Sequence, residues 1–261
     1  MDFIAVWLSA FPYLFLPLVL LWLFSVIIKN ASIIDPFWSI GFLILSFHYY
    51  SVTESVGLRS EIVFVLIVLW AIRLSGYLLV RNWGKGEDYR YQKFRKNYGV
   101  KRYWWFSFFQ VFLLQGILCW IISLPLLAVF YYTIDTGLIW LDYIALALFV
   151  IGFIFESLGD LQLWLFKSNS DNKGKVLRHG LWKYSRHPNY FGEAVIWWGI
   201  GLFCLATNTY LPLVGVIVMT YLLLKVSGVS LLERSLSKTK SGYGNYIETT
   251  SSFIPWFPKK S

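Results

Sequence analysis

The chain has 261 residues, of which 57% are hydrophobic, 20% aromatic and only 14% charged. A soluble domain carries about 25% charged residues, so this composition excludes an ordinary water-soluble enzyme and predicts an all-α integral membrane protein forming one bundle over residues 1–261. The net charge of +9 invites a nucleic-acid reading, but the placement of the charge removes it, and the two cysteines, Cys119 and Cys204, lie in apolar runs without disulfide or metal-ligand spacing.

A membrane helix needs about 20 apolar residues. Seven stretches fit: residues 3–28, 36–52, 62–80, 108–132, 140–166, 189–206 and 211–232. The first is long and lacks a basic leader, so it is expected to be a retained span. Pro12 and Pro17 within it predict a kink or break. Asp35-Pro36 reads as the start signal of the second, with aspartate as N-cap and proline at the first helical position. The long polar segments are 81–107, 167–187 and 233–261. With the N-terminus outside, the inward-facing segments hold Lys29, eight basic residues in 81–107, six in 167–187 and five from Arg234 onward, whereas the outward segments hold Arg59 beside Asp2, Glu54, Glu61 and Asp135. Basic inner loops are the rule for membrane proteins. They orient the chain N-terminus out and C-terminus in the cytoplasm, and they account for the charge without nucleic acid. The compact loops fit a bacterial inner membrane better than the endoplasmic reticulum. No segment marks an obligate protein partner.

The segment 81–107 interleaves arginines and tyrosines around Glu87-Asp88. Such a composition suits a helix on an anionic lipid surface or a lid over a polyphosphate. Within the spans, ionisable groups cost about 2.5–3.5 kcal/mol each and need a reason. Arg73 lies eight residues before Arg81, about 12 Å from the inner end at 1.5 Å per residue. Glu156, Asp160 and Lys167 share a helix face, and Glu193, Lys225 and Glu233 fall in the inner halves of the last two spans. Asp35 belongs to the same leaflet. Structural ion pairing is one account of these groups. A polar cavity open to the cytoplasm is the other, and it also uses the aromatic and hydrogen-bonding residues Trp182, Tyr184, Tyr190, Trp197 and Trp198.

The most informative stretch is GLWKYSRHPNYFGE, residues 180–193. Pro188 suits a first helical position, Asn189 and Glu193 then share a face, and Arg186 and His187 stand at the helix mouth, an arrangement that suits an anion. Gly152-x6-Gly159 is no dinucleotide fingerprint, because it lies mid-span and follows no strand. No metal motif, phosphate-binding glycine loop or hydrolase triad is present. The tail from Tyr243 is expected to fold back along the membrane interface.

Taken together, Glu156, Asp160-x-Gln162, Lys167, the 180–193 stretch, Leu232-Glu233, Tyr243-x-x-Tyr246 and Phe253-Ile254-Pro255 resemble the C-terminal domain of the steroid 5-alpha-reductase superfamily. The resemblance covers about residues 33–258. Arg73-Leu74 and Glu87-Asp88-Tyr89-Arg90-Tyr91 resemble its largely bacterial branch, a domain of unknown function. The RHPNYFGE core is shared more widely, with sterol C14-reductases and isoprenylcysteine carboxyl methyltransferases. The resemblance implies seven membrane helices, NADPH as cofactor and reduction of a carbon–carbon double bond conjugated to a carbonyl in a lipophilic, steroid- or isoprenoid-like substrate. By position it implies cofactor contacts from Arg73, Tyr77, Arg81, Asp160, Lys167, Tyr184, Arg186, His187, Asn189, Glu193, Glu233 and Tyr246. Asp35 falls near the catalytic acid that grips the substrate carbonyl. The chain departs from the family where the acid's tyrosine partner is expected, because Trp70 stands there, and Ile34 replaces a glutamine before the acid. Asp35 and Trp70 are therefore the expected substrate contacts, with Asp35, a nearby tyrosine or water as proton donor. The alternative is an S-adenosylmethionine-dependent methyltransferase of the isoprenylcysteine type, whose late paired glutamate is missing here because Arg234 follows Glu233.

Overall fold

The computed structural model describes residues 1–53, 57–134, 137–226, 228–229, 232–233, 236–237, 240 and 242–259. Arg234, the acids Glu54 and Asp135 of the predicted outward segments, and part of the seventh predicted stretch lie outside them. Every regular element among the described residues is helical. Five helical stretches are long and apolar enough to cross a membrane: Phe3–Ile28, Ala31–Val52, Leu58–Asn82, Val100–Tyr132 and Trp140–Ser168. This is the make-up of a multi-pass membrane protein. The chain divides into two compact units, Met1–Gly137 with Thr207–Pro212, and Leu138–Ala206 with Leu213–Ser261.

The first unit begins with α1 (Phe3–Ile28), capped by Asp2, whose carboxylate accepts from the Ala5 amide at 2.7 Å. Of the kink or break predicted there, the break does not occur: α1 runs unbroken through Pro12 and Pro17. It ends at Lys29, in the left-handed conformation with φ 55°. A 3-10 turn (Ala31–Ile33), capped by Asn30, leads into α2 (Ile34–Val52). Asp35 is thus inside the first turn and not its N-cap. Ile33 holds the cap position, because the preceding turn already carries the backbone into helical geometry. Helix α3 (Leu58–Asn82) packs on α2, with Trp70 fully buried edge-on to Phe42 at 5.7 Å and the Ser39 hydroxyl donating to the Ala71 carbonyl at 3.0 Å.

Next come α4 (Tyr89–Tyr98), an amphipathic helix capped by Asp88, and the long stretch Val100–Tyr132. That stretch comprises α5 (Val100–Ser107), a π-helical turn (Phe108–Leu113), α6 (Leu114–Ile122) and α7 (Leu124–Tyr132). Pro125 sits in the first turn of α7, where its missing N–H leaves no bond unmade.

The second unit is built on α8 (Trp140–Ser168) and α9 (Pro188–Leu205). The buried residues of α8 are Asp142, Ala145, Phe149, Gly152, Glu156, Gly159 and Asp160. From Asp142 to Gly159 the three- and four-residue steps mark one narrow seam, with a small residue every seventh position: Ala145, Gly152, Gly159. Gly192 and Gly199 repeat that spacing on α9. A Cβ on Gly152 would lie 2.6 Å from the Gly192 carbonyl oxygen, and one on Gly199 would lie 2.9 Å from that of Ala145. The two backbones therefore touch, the packing that small residues permit between membrane helices. Helix α10 (Val214–Tyr221) packs on α9 and continues as a π-helical turn (Leu222–Val226). A short α11 (Tyr243–Thr249) precedes the tail.

Candidate functional site

In the first unit the segment after α3 docks on the corner between α1 and α2. Glu87 accepts from the Ala31 amide at 2.9 Å and pairs with Arg95 at 2.8 Å, while the Asp88 amide donates to the Ser32 hydroxyl at 2.6 Å. Burial pushes the Asp88 carboxyl up, but bonds from the side chain and amide of Arg90 outweigh it and hold the group below the usual carboxylate range. This docking delivers two side chains to Asp35. Arg90 Nη2 reaches one carboxylate oxygen at 2.7 Å, and the Tyr91 hydroxyl donates to the other at 2.6 Å. Tyr91 is 4% exposed. Burial and then the Asp35 carboxylate push its phenol well above the ordinary value despite Arg90. Gln115 approaches the same hydroxyl at 3.4 Å.

The Asp35–Arg90–Tyr91 cluster was only half legible in the sequence. Arg90 and Tyr91 belong to the most discriminating motif of the chain, yet nothing in their spacing from Asp35 shows the contact. Trp70 packs in the core of this unit against Phe42. Arg73 and Tyr77 are half-buried on α3, and the Arg81 guanidinium lies 5.7 Å from the Tyr77 ring. Arg90 and Arg95 of the basic segment are both paired with carboxylates of this unit.

In the second unit α9 starts at Pro188, as the sequence predicts, with His187 at the cap position. The His187 side chain makes no cap bond to the first turn. Gly159 lets the start of α9 rest on α8, since a Cβ there would lie 3.0 Å from the Asn189 amide nitrogen. As a result Asn189 Nδ2 donates to Asp160 Oδ1 at 3.0 Å. Glu156, Asp160 and Glu193 are buried, whereas Lys167, on the same face of α8, is exposed beyond the seam.

Arg186 is the hub of this mouth. Its Nε and Nη2 reach Glu233 at 2.7 Å, and its Nη1 donates to the carbonyls of Ile247, at 2.8 Å, and Thr250. His187 Nε2 lies 3.5 Å from the same Glu233 oxygen, and its ring stacks on Tyr190 with centroids 5.8 Å apart. Burial pushes the Glu233 carboxyl up, but the bonds and charges of His187 and Arg186 dominate and hold it low. The tail closes over this loop. The Arg186 amide donates to Ser251 O at 2.9 Å, the Ser185 hydroxyl to Phe253 O at 2.7 Å, and the Trp256 amide to Tyr184 O at 2.9 Å. The Tyr184 side chain is exposed, with Lys183 and Phe257 beside it. The Tyr246 hydroxyl donates to the Trp182 carbonyl. Tyr243 is 3% exposed, and its hydroxyl has no hydrogen-bond partner among the described residues. Burial first, and Glu233 second, push its phenol up to about 12.

The family model described as "Protein of unknown function (DUF1295)" matches residues 21–250. The chain belongs to this family. The DUF1295 match takes in both the Asp35–Arg90–Tyr91 cluster and the Arg186–Glu233 hub. The chain is also similar to an "Uncharacterized protein C594.04c" of Schizosaccharomyces pombe, 28% identical over 206 residues. That similarity covers 70% of this chain and 60% of the yeast protein, so the chain spans less than two thirds of its relative. No solved structure matches the chain.

Proposed function

We propose that this chain is an NADPH-dependent membrane reductase acting on a carbon–carbon double bond conjugated to a carbonyl in a lipophilic, steroid- or isoprenoid-like substrate. In this reading it crosses the membrane seven times, with α9 and then α10 with its continuation as the last two spans. The N-terminus is outside and the C-terminus is in the cytoplasm of a bacterial cell, so the cofactor comes from the cytosol. The likeness of residues 33–258 to the steroid 5-alpha-reductase superfamily supports the assignment.

The observation that carries it is the Asp35–Tyr91 pair. Reducing an enone places negative charge on the carbonyl oxygen. A group that donates a proton there must be buried, held in place and still protonated at neutral pH. Tyr91 has those properties, and it supplies the phenol that Trp70 cannot. Asp35 orients its hydroxyl, and Arg90 keeps positive charge beside the pair. As the oxygen gains charge, the Tyr91 hydroxyl turns from Asp35 and gives the oxygen its proton; the enol so formed returns that proton to Tyr91 as water protonates the α-carbon, which leaves the saturated carbonyl and a neutral phenol.

The second unit fits an anionic dinucleotide in one respect that does not depend on the resemblance. Helix α9 opens with Pro188 behind a buried His187 that makes no side-chain cap bond, and Tyr243 offers a buried hydroxyl lacking a partner among the described residues. When bound, NADPH supplies the hydride. Asp160, Lys167, Tyr184, His187, Asn189, Glu193 and Tyr246 are assigned to hold it in this unit, with Arg186 and Glu233 bracing the mouth.

The test is thermal stabilisation of the detergent-solubilised chain by NADPH, lost in Glu193→Ala. An unchanged melting temperature with NADPH refutes the reading. Stabilisation by S-adenosylmethionine in its place identifies a methyltransferase instead.

A further inference from the structure

A second feature of the first unit lies outside the machinery described above. Where the end of α1 meets the start of α5, a pocket of about 180 Å³ is lined by Ser25, Lys29, Arg95, Val100, Tyr103 and Trp104, among others. Both helices belong to stretches long enough to span a membrane, so the pocket lies where two spans leave the apolar layer. Its lining includes two cations and no carboxylate. Arg95 directs Nε and Nη2 to Glu87, and Nη2 also to the Lys29 carbonyl at 3.3 Å, which leaves Nη1 open among the described residues. Lys29 is exposed at the end of α1. Helix α5 begins at Val100 without a side-chain cap, so its positive end adds to the field.

Tyr103 is the second, independent indication. It is 1% exposed, its ring lies 4.4 Å from the Arg95 guanidinium carbon, and its hydroxyl has no hydrogen-bond partner among the described residues. Buried polar groups in native proteins are nearly always paired. A donor left open beside a lysine and an arginine, at the depth of lipid headgroups, calls for an anionic acceptor from the bilayer. The walls agree with that. Val26 and Trp104 give the pocket an apolar and aromatic rim, and Ile27, 76% exposed on α1, continues it with a surface suited to an acyl chain.

We propose that this pocket binds the phosphate headgroup of an anionic phospholipid, with Lys29 and Arg95 neutralising the phosphate and the Tyr103 hydroxyl donating to it. The site is independent of the reductase reading, and neither Lys29 nor Tyr103 belongs to the proposed catalytic set. The experiment is native mass spectrometry of the full chain released from detergent with phosphatidylglycerol, phosphatidylcholine or inorganic phosphate. The wild type is expected to retain one phosphatidylglycerol in preference to phosphatidylcholine. Lys29→Gln and Tyr103→Phe should each weaken that retention about tenfold while leaving the lipid-free melting temperature near that of the wild type. Equal retention of both lipids, or retention unchanged in both variants, overturns the site. Competition by millimolar inorganic phosphate as effective as the lipid itself overturns the lipid assignment. Should a variant unfold, the wild-type preference between the two lipids still decides the outcome.

Discussion

Replacing Gly152 by alanine tests the seam that holds α8 to α9. The added methyl would lie 2.6 Å from the Gly192 carbonyl oxygen, 2.7 Å from the Ile196 amide nitrogen and 2.9 Å from Ile196 Cγ1. Ordinary contact begins at 3.4 Å, so the helices must part by about 0.8 Å or the backbone must bend. Two of the three obstacles are backbone atoms, which no rotamer change relieves. Overpacking of this kind costs about 1–3 kcal/mol. Against it stands the gain of about 1 kcal/mol from replacing a helical glycine by alanine. The clash should prevail by up to about 2 kcal/mol, a fall of up to roughly 8 °C in melting temperature for a domain of this size. Gly76 in α3 is the internal control, because a Cβ there meets nothing within 4 Å. Gly76→Ala should be neutral or slightly stabilising. Thermal unfolding of both variants in the same detergent decides the matter, and a Gly152→Ala protein as stable as Gly76→Ala would refute the close-packed seam.

Removing the guanidinium in Arg186→Ala leaves Glu233 and two carbonyls without their donor. It should destabilise by about 3 kcal/mol and free the tail, seen as faster amide exchange over residues 250–259; unchanged exchange there would count against the hub. Glu233 titrates below its ordinary 4.5 when folded, so the unfolded chain takes up the proton first. Stability should be complete above about pH 4.5 and fall as the pH drops through the lower folded value, and Glu233→Gln should flatten that part of the melting profile. Tyr91→Phe should lower the rate of NADPH oxidation with an enone about 10²–10⁴-fold while leaving NADPH stabilisation intact; a rate near wild type would remove Tyr91 as the donor.

Much of the fold is legible because membrane helices announce themselves by unbroken apolar length. The five long stretches, the start of α9 at Pro188 and the shared face of Asn189 and Glu193 all follow from local rules. Where local rules compete, the outcome was not legible. Asp35-Pro36 has the form of a helix start, yet a 3-10 turn capped by Asn30 begins the helical backbone earlier. Pro12 and Pro17 predict a kink or a break, and α1 continues through both without a break. Gly152-x6-Gly159 lies within α8. Its packing role becomes visible only beside the matching Gly192-x6-Gly199.

Composition and the spacing of apolar and basic residues determine by themselves that this is a helical, multi-pass membrane protein, because the bilayer penalises unpaired backbone and charge at every position alike. The tertiary structure alone decides which polar groups meet. Asp35 and Tyr91 are 56 residues apart, as are Ala31 and Glu87, and Arg186 and Glu233 are 47 apart. Those pairings depend on how a docked segment and a returning tail close over the helix ends. Chain folding sets that geometry, and no local periodicity encodes it.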